Sequence, residues 1–249
     1  MSYTKTMISA QDKQTFLTWL HDSKKTVFFG GAGVSVASGI PDFRSSVGLY
    51  ADGSRMEEML HVNYMMRYPD QFWPGYREVF MAKNDGPNPV HYALSDMEAK
   101  GLMHCVITQN IDGLHQAAGS SKVLELHGTG QVFYCMTCGD TYTHLQVESL
   151  DTVPHCTCGG IVRPDIVFYG EGLKTEVIEE AIEWISTADL IIVAGTSLVV
   201  YPAAGLLAAR RPDARLVIMN KSVTDFDQAA DLCLSGDLVE TFCSLDLCV

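Results

Sequence analysis

The 249-residue chain lacks a basic excess: 17 lysines and arginines stand against 30 aspartates and glutamates, a net charge of -13. A protein that grips nucleic acid by its phosphates needs a basic footprint, so nucleic acid is not an expected partner. Also missing is any apolar run approaching the ~20 residues of a membrane-spanning helix, so no membrane partner is expected. The opening stretch MSYTKTMISAQDKQTFLTWLHDSKK has no apolar segment of signal-peptide length, and the expected location is cytoplasmic. There are no internal repeats and no low-complexity segment. What remains is ordinary globular composition, 47% hydrophobic and 19% charged, enough for one large domain or one domain carrying an inserted module. The acidity favours encounter with basic protein segments. Eight cysteines in such a chain predict a metal site or reduced thiols rather than disulfides.

Hydrophobic patterning predicts short buried strands at Thr26–Phe29, Cys105–Thr108, Val123–Leu126, Leu190–Ala194, Leu216–Met219 and Asp231–Leu234. Amphipathic helices are expected between several of them, notably Thr175–Thr187 and Ala203–Arg211, and a capping-box-like Ser9–Asp12 opens a helix through Phe16, Leu17 and Leu20. Near-continuous apolar strands alternating with helices predict an α/β fold: a Rossmann-like parallel sheet covered on both faces. Two stretches break the alternation. Residues 44–89 hold aromatics, methionines and charges at helical spacing, and 129–163 hold clustered cysteines. The expected division is a nucleotide-binding domain of residues 1–43, 90–128 and 164–249, with a smaller inserted domain of 44–89 (helical) and 129–163 (zinc ribbon).

The first strand runs into Gly31-Ala32-Gly33, a turn that lets backbone approach a pyrophosphate at a helix N-terminus. It is not a hydride-transfer fingerprint, because the third glycine is replaced by Val36. Cys135-Met-Thr-Cys138 and Cys156-Thr-Cys158 lie 17 residues apart in a polar, glycine-rich segment. Four thiolates suit one tetrahedral zinc ion with no open position, a structural site. The second pair is CxC rather than CxxC, which leaves His144 and His155 as alternative ligands. Cys105, Cys233, Cys243 and Cys248 fall in apolar patterns or the tail and read as core or incidental thiols. Among eight histidines, His127 closes a predicted strand before Gly128; Gln109, Asn110 and Asp112 follow another. In open α/β sheets ligands gather beyond the carboxyl ends of the strands, so these side chains can share one crevice.

The string Gly31-Ala-Gly-Val-Ser-Val-Ala-Ser-Gly-Ile-Pro-Asp-Phe-Arg44 resembles the GAG-x-S-x-x-SGIPDFR signature of sirtuins. Thr108-Gln-Asn-Ile-Asp-Gly-Leu-His115, Leu126-His-Gly128, Arg163-Pro-Asp-Ile-Val-Phe-Tyr-Gly-Glu171, Gly195-Thr-Ser197 and Asn220 follow in the family's order. The resemblance covers roughly residues 25 to 240. It implies an NAD-dependent protein lysine deacylase that transfers the acyl group to ADP-ribose, releasing nicotinamide and free lysine.

The resemblance also distributes roles. Asp112, beside Ile111, holds the nicotinamide carboxamide, while Gln109 and Asn110 contact the ribose, Asn110 being counted with His127 as catalytic. His127 acts as general base on a ribose hydroxyl, a task suited to an imidazole that is neutral near pH 7. Gly31, Ala32 and Gly33 face the phosphates; Asp42, Phe43 and Arg44 lie on the following loop, where Phe43 shields the reactive carbon and Arg44 orients the phosphates. Gly195, Thr196 and Ser197 bond phosphate or ribose, Asn220 addresses the adenosine ribose, and Asp237 sits in a turn that closes on the adenine. The acylated peptide adds as a strand between Val167-Phe168-Tyr169-Gly170-Glu171 and the Ser197-Leu198-Val199-Val200-Tyr201 loop, with Leu198 and Val199 as its contacts. Relatives that prefer acidic acyl chains carry a Tyr-x-x-Arg pair, where this chain has Trp73 and Tyr76, with Arg77 one residue out of register. The runner-up reading is a mono-ADP-ribosyltransferase or NAD hydrolase on the same scaffold. A monomer is the default state.

Overall fold

The computed structural model describes residues 8–42 and 55–248. Phe43 and Arg44 lie outside the described residues. The strands are β1 (Thr26–Gly30), β2 (Cys105–Thr108), β3 (Val123–Glu125), β4 (Gly128–Cys135), β5 (Thr141–Thr143), β6 (Val162–Ile166), β7 (Leu190–Ala194), β8 (Arg215–Asn220) and β9 (Leu232–Ser235). The helices are α1 (Ala10–Asp22), α2 (Arg55–Met59), α3 (Val62–Arg67), α4 (Pro69–Phe80), α5 (Pro89–Ala99), α6 (Leu114–Ala117), α7 (His144–Glu148), α8 (Thr175–Thr187) and α9 (Leu238–Ser244).

Six strands form a parallel sheet in the order β3-β2-β1-β7-β8-β9. Numbered within that sheet alone, this is the 3-2-1-4-5-6 order of the doubly wound nucleotide-binding fold, whose switch point lies between β1 and β7. Successive strand residues point to opposite faces, and the core divides accordingly. Phe28, Val106, Ile192 and Val217 pack with Phe16 and Leu20 of α1, Leu94 of α5 and Phe242 of α9. Val27, Phe29, Ile107, Ile191 and Ile218 pack on the other face with Ala181 and Ile185 of α8. The sheet is thus buried on both sides, which is why its strands read as continuous apolar runs. Truncating one of these fully buried aromatics, such as Phe28, removes roughly 3–5 kcal/mol of stability.

Two expected helices are tighter. The segment after β1 forms short 3-10 turns at Ala32–Val34 and Val36–Ser38 rather than an α-helix, and the second ends at Gly39 with φ +80. Ala203–Ala209 is likewise a 3-10 helix. Gly205 in its middle weakens the α form. At α1, Ser9 Oγ accepts from Asp12 N as expected of an N-cap, but the short aspartate accepts the serine hydroxyl instead of reaching back to its N–H. One disulfide, Cys243–Cys248, corrects the reading of those two as free thiols: the chain reverses after α9, where Asp246 has φ 59, and their Cα atoms lie 4.8 Å apart.

A second, three-stranded antiparallel sheet has the order β5-β4-β6. It shares a third core with the helical stretch: Met65, Phe72, Trp73 and Tyr76 meet Phe133, Val147, Val162 and Phe168. Helix α4 runs through Pro74 and buries Phe72, Trp73 and Tyr76. No described helix is long and apolar enough to cross a membrane.

Candidate active site and metal centre

The carboxyl ends of β1 and β7 are locked together. Gly33 N donates to Gly195 O (2.8 Å) and Gly31 N to Ala194 O (3.2 Å). A side chain on Gly33 would put its Cβ 2.8 Å from Gly195 Cα, and one on Gly31 would put it 2.8 Å from Thr196 Cβ. These glycines are therefore required by the closeness of two turns, a reason the sequence did not disclose.

Three polar side chains converge beside this junction. Ser35, itself 1% exposed, donates to Asp112 Oδ2 (2.7 Å) and accepts from Asn110 Nδ2 (3.0 Å). Asn110 N in turn bonds Thr108 Oγ1 at the end of β2. Ser35 was legible only as part of a motif; two residues past Gly33, it proves to be the link between the two. Asn88, which sequence reasoning passed over, sends Nδ2 to Val34 O (2.7 Å) and Ser38 Oγ (2.9 Å) while its Oδ1 caps α5. The Asn-Pro step, a cap followed by proline at the first helical position, was the available signal.

Further along the edge, Gln109 Nε2 donates to Thr196 Oγ1 (3.0 Å), and Thr196 exchanges two bonds with Asn220, through Asn220 Oδ1 (3.2 Å) and Nδ2 (2.8 Å). Leu198 is buried with φ 55, while Ser197 and Val199 are exposed. Gly236 N bonds Asn220 O, and the neighbouring Asp237 spends its carboxylate as the N-cap of α9, accepting from Val239 N and Glu240 N. Asp42 is the last described residue before the segment that holds Phe43 and Arg44.

His127 sits two residues past β3, half-buried. Its Nδ1 is 2.9 Å from Gln109 O. A carbonyl only accepts, so Nδ1 carries the proton and Nε2 keeps a free lone pair. Burial pulls the imidazole pKa below its usual 6.5, opposed by the hydrogen bond to Gln109. Its own backbone O accepts from Val167 N (2.8 Å), tying the 167–171 segment to the histidine. That segment also bridges to the helical stretch, with Tyr169 N donating to Leu60 O and Val62 N to Tyr169 O.

Behind Asp112, His91 and His115 are fully buried with ring centroids 4.8 Å apart. Burial lowers their pKa values to about 4 and about 3, Asp112 partly restoring the former and His91 depressing the latter further. Both are neutral in the fold, so the unfolded chain binds more protons below its histidine pKa of about 6.5. Their contribution is fully present above pH 6.5 and is lost as pH falls toward 4. At pH 5 the loss is on the order of 2 kcal/mol per histidine. Denaturant unfolding from pH 7.5 to 5 should show this slope, and His115→Asn should reduce it by about half the pair's share. The difference between variant and parent is the readout. An unchanged slope would contradict the assignment.

The four cysteines converge. The Sγ atoms of Cys135, Cys138, Cys156 and Cys158 all lie within 4.8 Å of one another, with Cys135–Cys158 and Cys138–Cys156 at 3.5 Å. Thiolates around a zinc at ~2.3 Å sit about 3.8 Å apart, so the cluster is compatible with a structural zinc. Tight turns aim the pairs, ending at Gly139 (φ +80) and Gly159 (φ +85). Gly160 is forced by space, since a Cβ there would lie 2.7 Å from Cys135 Sγ. Backbone N–H groups favour the thiolate at Cys135 and bring Cys156 down to about 6. The alternative ligands are elsewhere engaged: His155 Nδ1 faces Val153 O and His144 faces Glu148.

A doubly wound sheet with polar groups gathered at its switch point, beside a sheet carrying a four-thiol cluster, defines a nucleotide-dependent α/β protein with a zinc-type module. The Sir2 family model matches residues 31–202. An NAD-dependent protein deacetylase of Clostridium acetobutylicum is 46% identical over 229 residues, covering 88% of this chain and 93% of that one. One of the same description from Thermotoga maritima is 45% identical over 232 residues, covering 90% and 93%. Among solved structures, Sir2 with a p53 peptide and NAD+ is 42% identical with TM-score 0.82, covering 92% of this chain and 94% of that one. The chain belongs to the Sir2 family.

Proposed function

We propose that this protein is an NAD-dependent protein lysine deacetylase that passes the acyl group of a modified lysine to ADP-ribose. The observation that carries the reading is the state of His127: Nδ1–H is fixed on Gln109 O, the ring is held neutral, and Nε2 is available as a base. NAD, once bound, supplies the ADP-ribose acceptor, with nicotinamide as its leaving group. The acyl oxygen of the modified lysine would bond to the ribose carbon as nicotinamide departs. His127 Nε2 would take the proton of a ribose hydroxyl as that hydroxyl attacks the acyl carbon and return it to the leaving lysine nitrogen, and one water, adding to the acyl carbon, would leave O-acyl-ADP-ribose. Asp112, oriented by Ser35, meets the carboxamide with Ile111 beside it; Asn110, held by the same hydroxyl, and Gln109 meet the ribose.

The remaining roles belong to the same proposal. Gly31, Ala32 and Gly33 face the phosphates together with Gly195, Thr196 and Ser197. Asn220 addresses the adenosine ribose, and Asp237, whose Oδ1 caps α9, sits in the turn that closes on the adenine. Val167–Glu171 and Leu198–Val199 flank the acylated peptide, and the tie from Val167 N to His127 O supports that placement. Cys135, Cys138, Cys156 and Cys158 hold the zinc, which shapes the smaller domain of 44–89 and 129–163. The separate core around Phe72 and Phe133 supports this division, and β6 with Phe168 extends the smaller part past residue 163.

The acyl pocket follows from α4. Trp73 and Tyr76 are fully buried on one face, with Tyr76 Oη near Gly130 and Ile111. Burial keeps the Tyr76 phenol un-ionised. Arg77, about 100° further round, donates from Nη2 to Val147 O (2.9 Å) and Asp151 O (3.0 Å), which holds its head on the cysteine module. No cation from this helix then meets a distal carboxylate, whose unpaired burial is costly. Acetyl-lysine peptides should therefore be turned over at least about tenfold faster in kcat/KM than succinyl-lysine peptides, a difference of only ~1.4 kcal/mol. Parallel assays with a peptide panel test this, and equal rates would show that a cation does reach the pocket.

A further inference from the structure

Arg163 is 5% exposed and belongs to neither the NAD-facing residues nor the cysteine cluster. Its guanidinium grips Glu171 through two bonds, Nη1 to Oε1 at 2.7 Å and Nη2 to Oε2 at 2.9 Å, and Nη2 also donates to Ile166 O at 2.9 Å. The same carboxylate accepts from Phe168 N (3.0 Å), while Glu171 N donates back to Phe168 O (3.0 Å). The cation lies 4.7 Å from the centre of the Phe168 ring. The 167–171 segment is thus bent around one charged fork.

Burying an ion pair is a poor way to gain stability, because desolvation offsets the attraction. What a planar guanidinium supplies instead is direction: its donors leave along fixed lines, so the groups it binds are fixed relative to each other. Here those groups are the two ends of one loop. The loop's start is bonded to His127 O through Val167 N, and its middle to Leu60 O through Tyr169 N. Where Glu171 is pinned therefore decides how the loop's edge lies against the catalytic histidine.

We propose that Arg163 is a positioning residue for the acylated peptide, clamping Glu171 and Ile166 so that 167–171 presents a docking edge at a set distance from His127. The proposal rests on the reading of 167–171 as the peptide-docking segment.

The test is steady-state kinetics with an acetyl-lysine peptide and NAD on zinc-replete Arg163→Gln, Arg163→Lys and Glu171→Gln. Gly170→Ala disturbs the same loop without touching the clamp, since Gly170 has φ +89 and a Cβ there would lie 2.7 Å from His61 Cε1. Arg163→Gln and Glu171→Gln should raise the peptide KM about tenfold or more while the NAD KM moves by less than about twofold. Arg163→Lys, which keeps the charge but loses the fork, should fall between Gln and the parent. If Arg163→Gln does not fold, Arg163→Lys and Glu171→Gln carry the comparison. Parallel rises in both KM values, or a lysine variant no better than glutamine, would make the pair a structural prop and overturn the inference. If Gly170→Ala raises the peptide KM and the clamp variants do not, the inference fails and the docking segment stands. If none of the four changes it, the docking reading itself has failed.

Discussion

His127→Ala is expected to lower kcat/KM for an acetyl-lysine peptide by roughly 10²–10⁴-fold, the usual range for loss of a positioned general base. NAD affinity should change little, because the ring is anchored through Nδ1 on the protein's own Gln109 carbonyl and, on this proposal, Nε2 serves only the later proton transfer. Nicotinamide exchange, which precedes that transfer, should be retained better than deacetylation. The same assignment sets a pH dependence. With the His127 pKa below 6.5, kcat/KM should hold level near neutrality and fall on the acid side of 6.5, where the base becomes protonated. Near-normal deacetylation by the alanine variant would remove His127 from the chemistry.

The second large effect concerns the metal. Purified protein should hold about one zinc per chain, and Cys135→Ala or Cys158→Ala should abolish that stoichiometry. Apparent binding free energies of structural zinc sites are about 10–16 kcal/mol near neutral pH, comparable with the whole stability of a domain. Loss should therefore unfold the small sheet and, through the core that joins Phe133 to Phe72 and Trp73, the helical stretch as well. Activity should fall with it. Metal analysis with circular dichroism checks both, and active, freshly purified protein without zinc would falsify the four-cysteine site.

Much of this was legible in the chain because the relevant signals are local. Leu190–Ala194 is continuously apolar, and a strand buried on both faces has no other pattern available to it. The four cysteines are legible from spacing and from the glycines that follow them. What the sequence could not disclose depends on contacts made across it. Gly31 and Gly33 read as room for a ligand, yet their Cβ positions are filled by Thr196 and Gly195, more than 160 residues away. Arg77 read as a possible cation for the acyl pocket, and its carbonyl partners on the cysteine module were not legible. Glu171 read as the end of a segment that pairs with peptide through its main chain, and the sequence did not disclose that its carboxylate is bound by Arg163. Cys243 and Cys248 read as unrelated thiols because a five-residue separation says nothing of the reversal at Asp246 that joins them.

The central claim is that the acyl group is transferred to ADP-ribose rather than ADP-ribose being transferred to protein or water. Mass spectrometry of one reaction containing NAD and an acetyl-lysine peptide tests it directly. The account predicts nicotinamide, deacetylated peptide and O-acetyl-ADP-ribose in equal amounts, with His127→Ala forming no more than traces of the last two. Nicotinamide released with free ADP-ribose or ADP-ribosylated protein, while the peptide keeps its acetyl group, would contradict it.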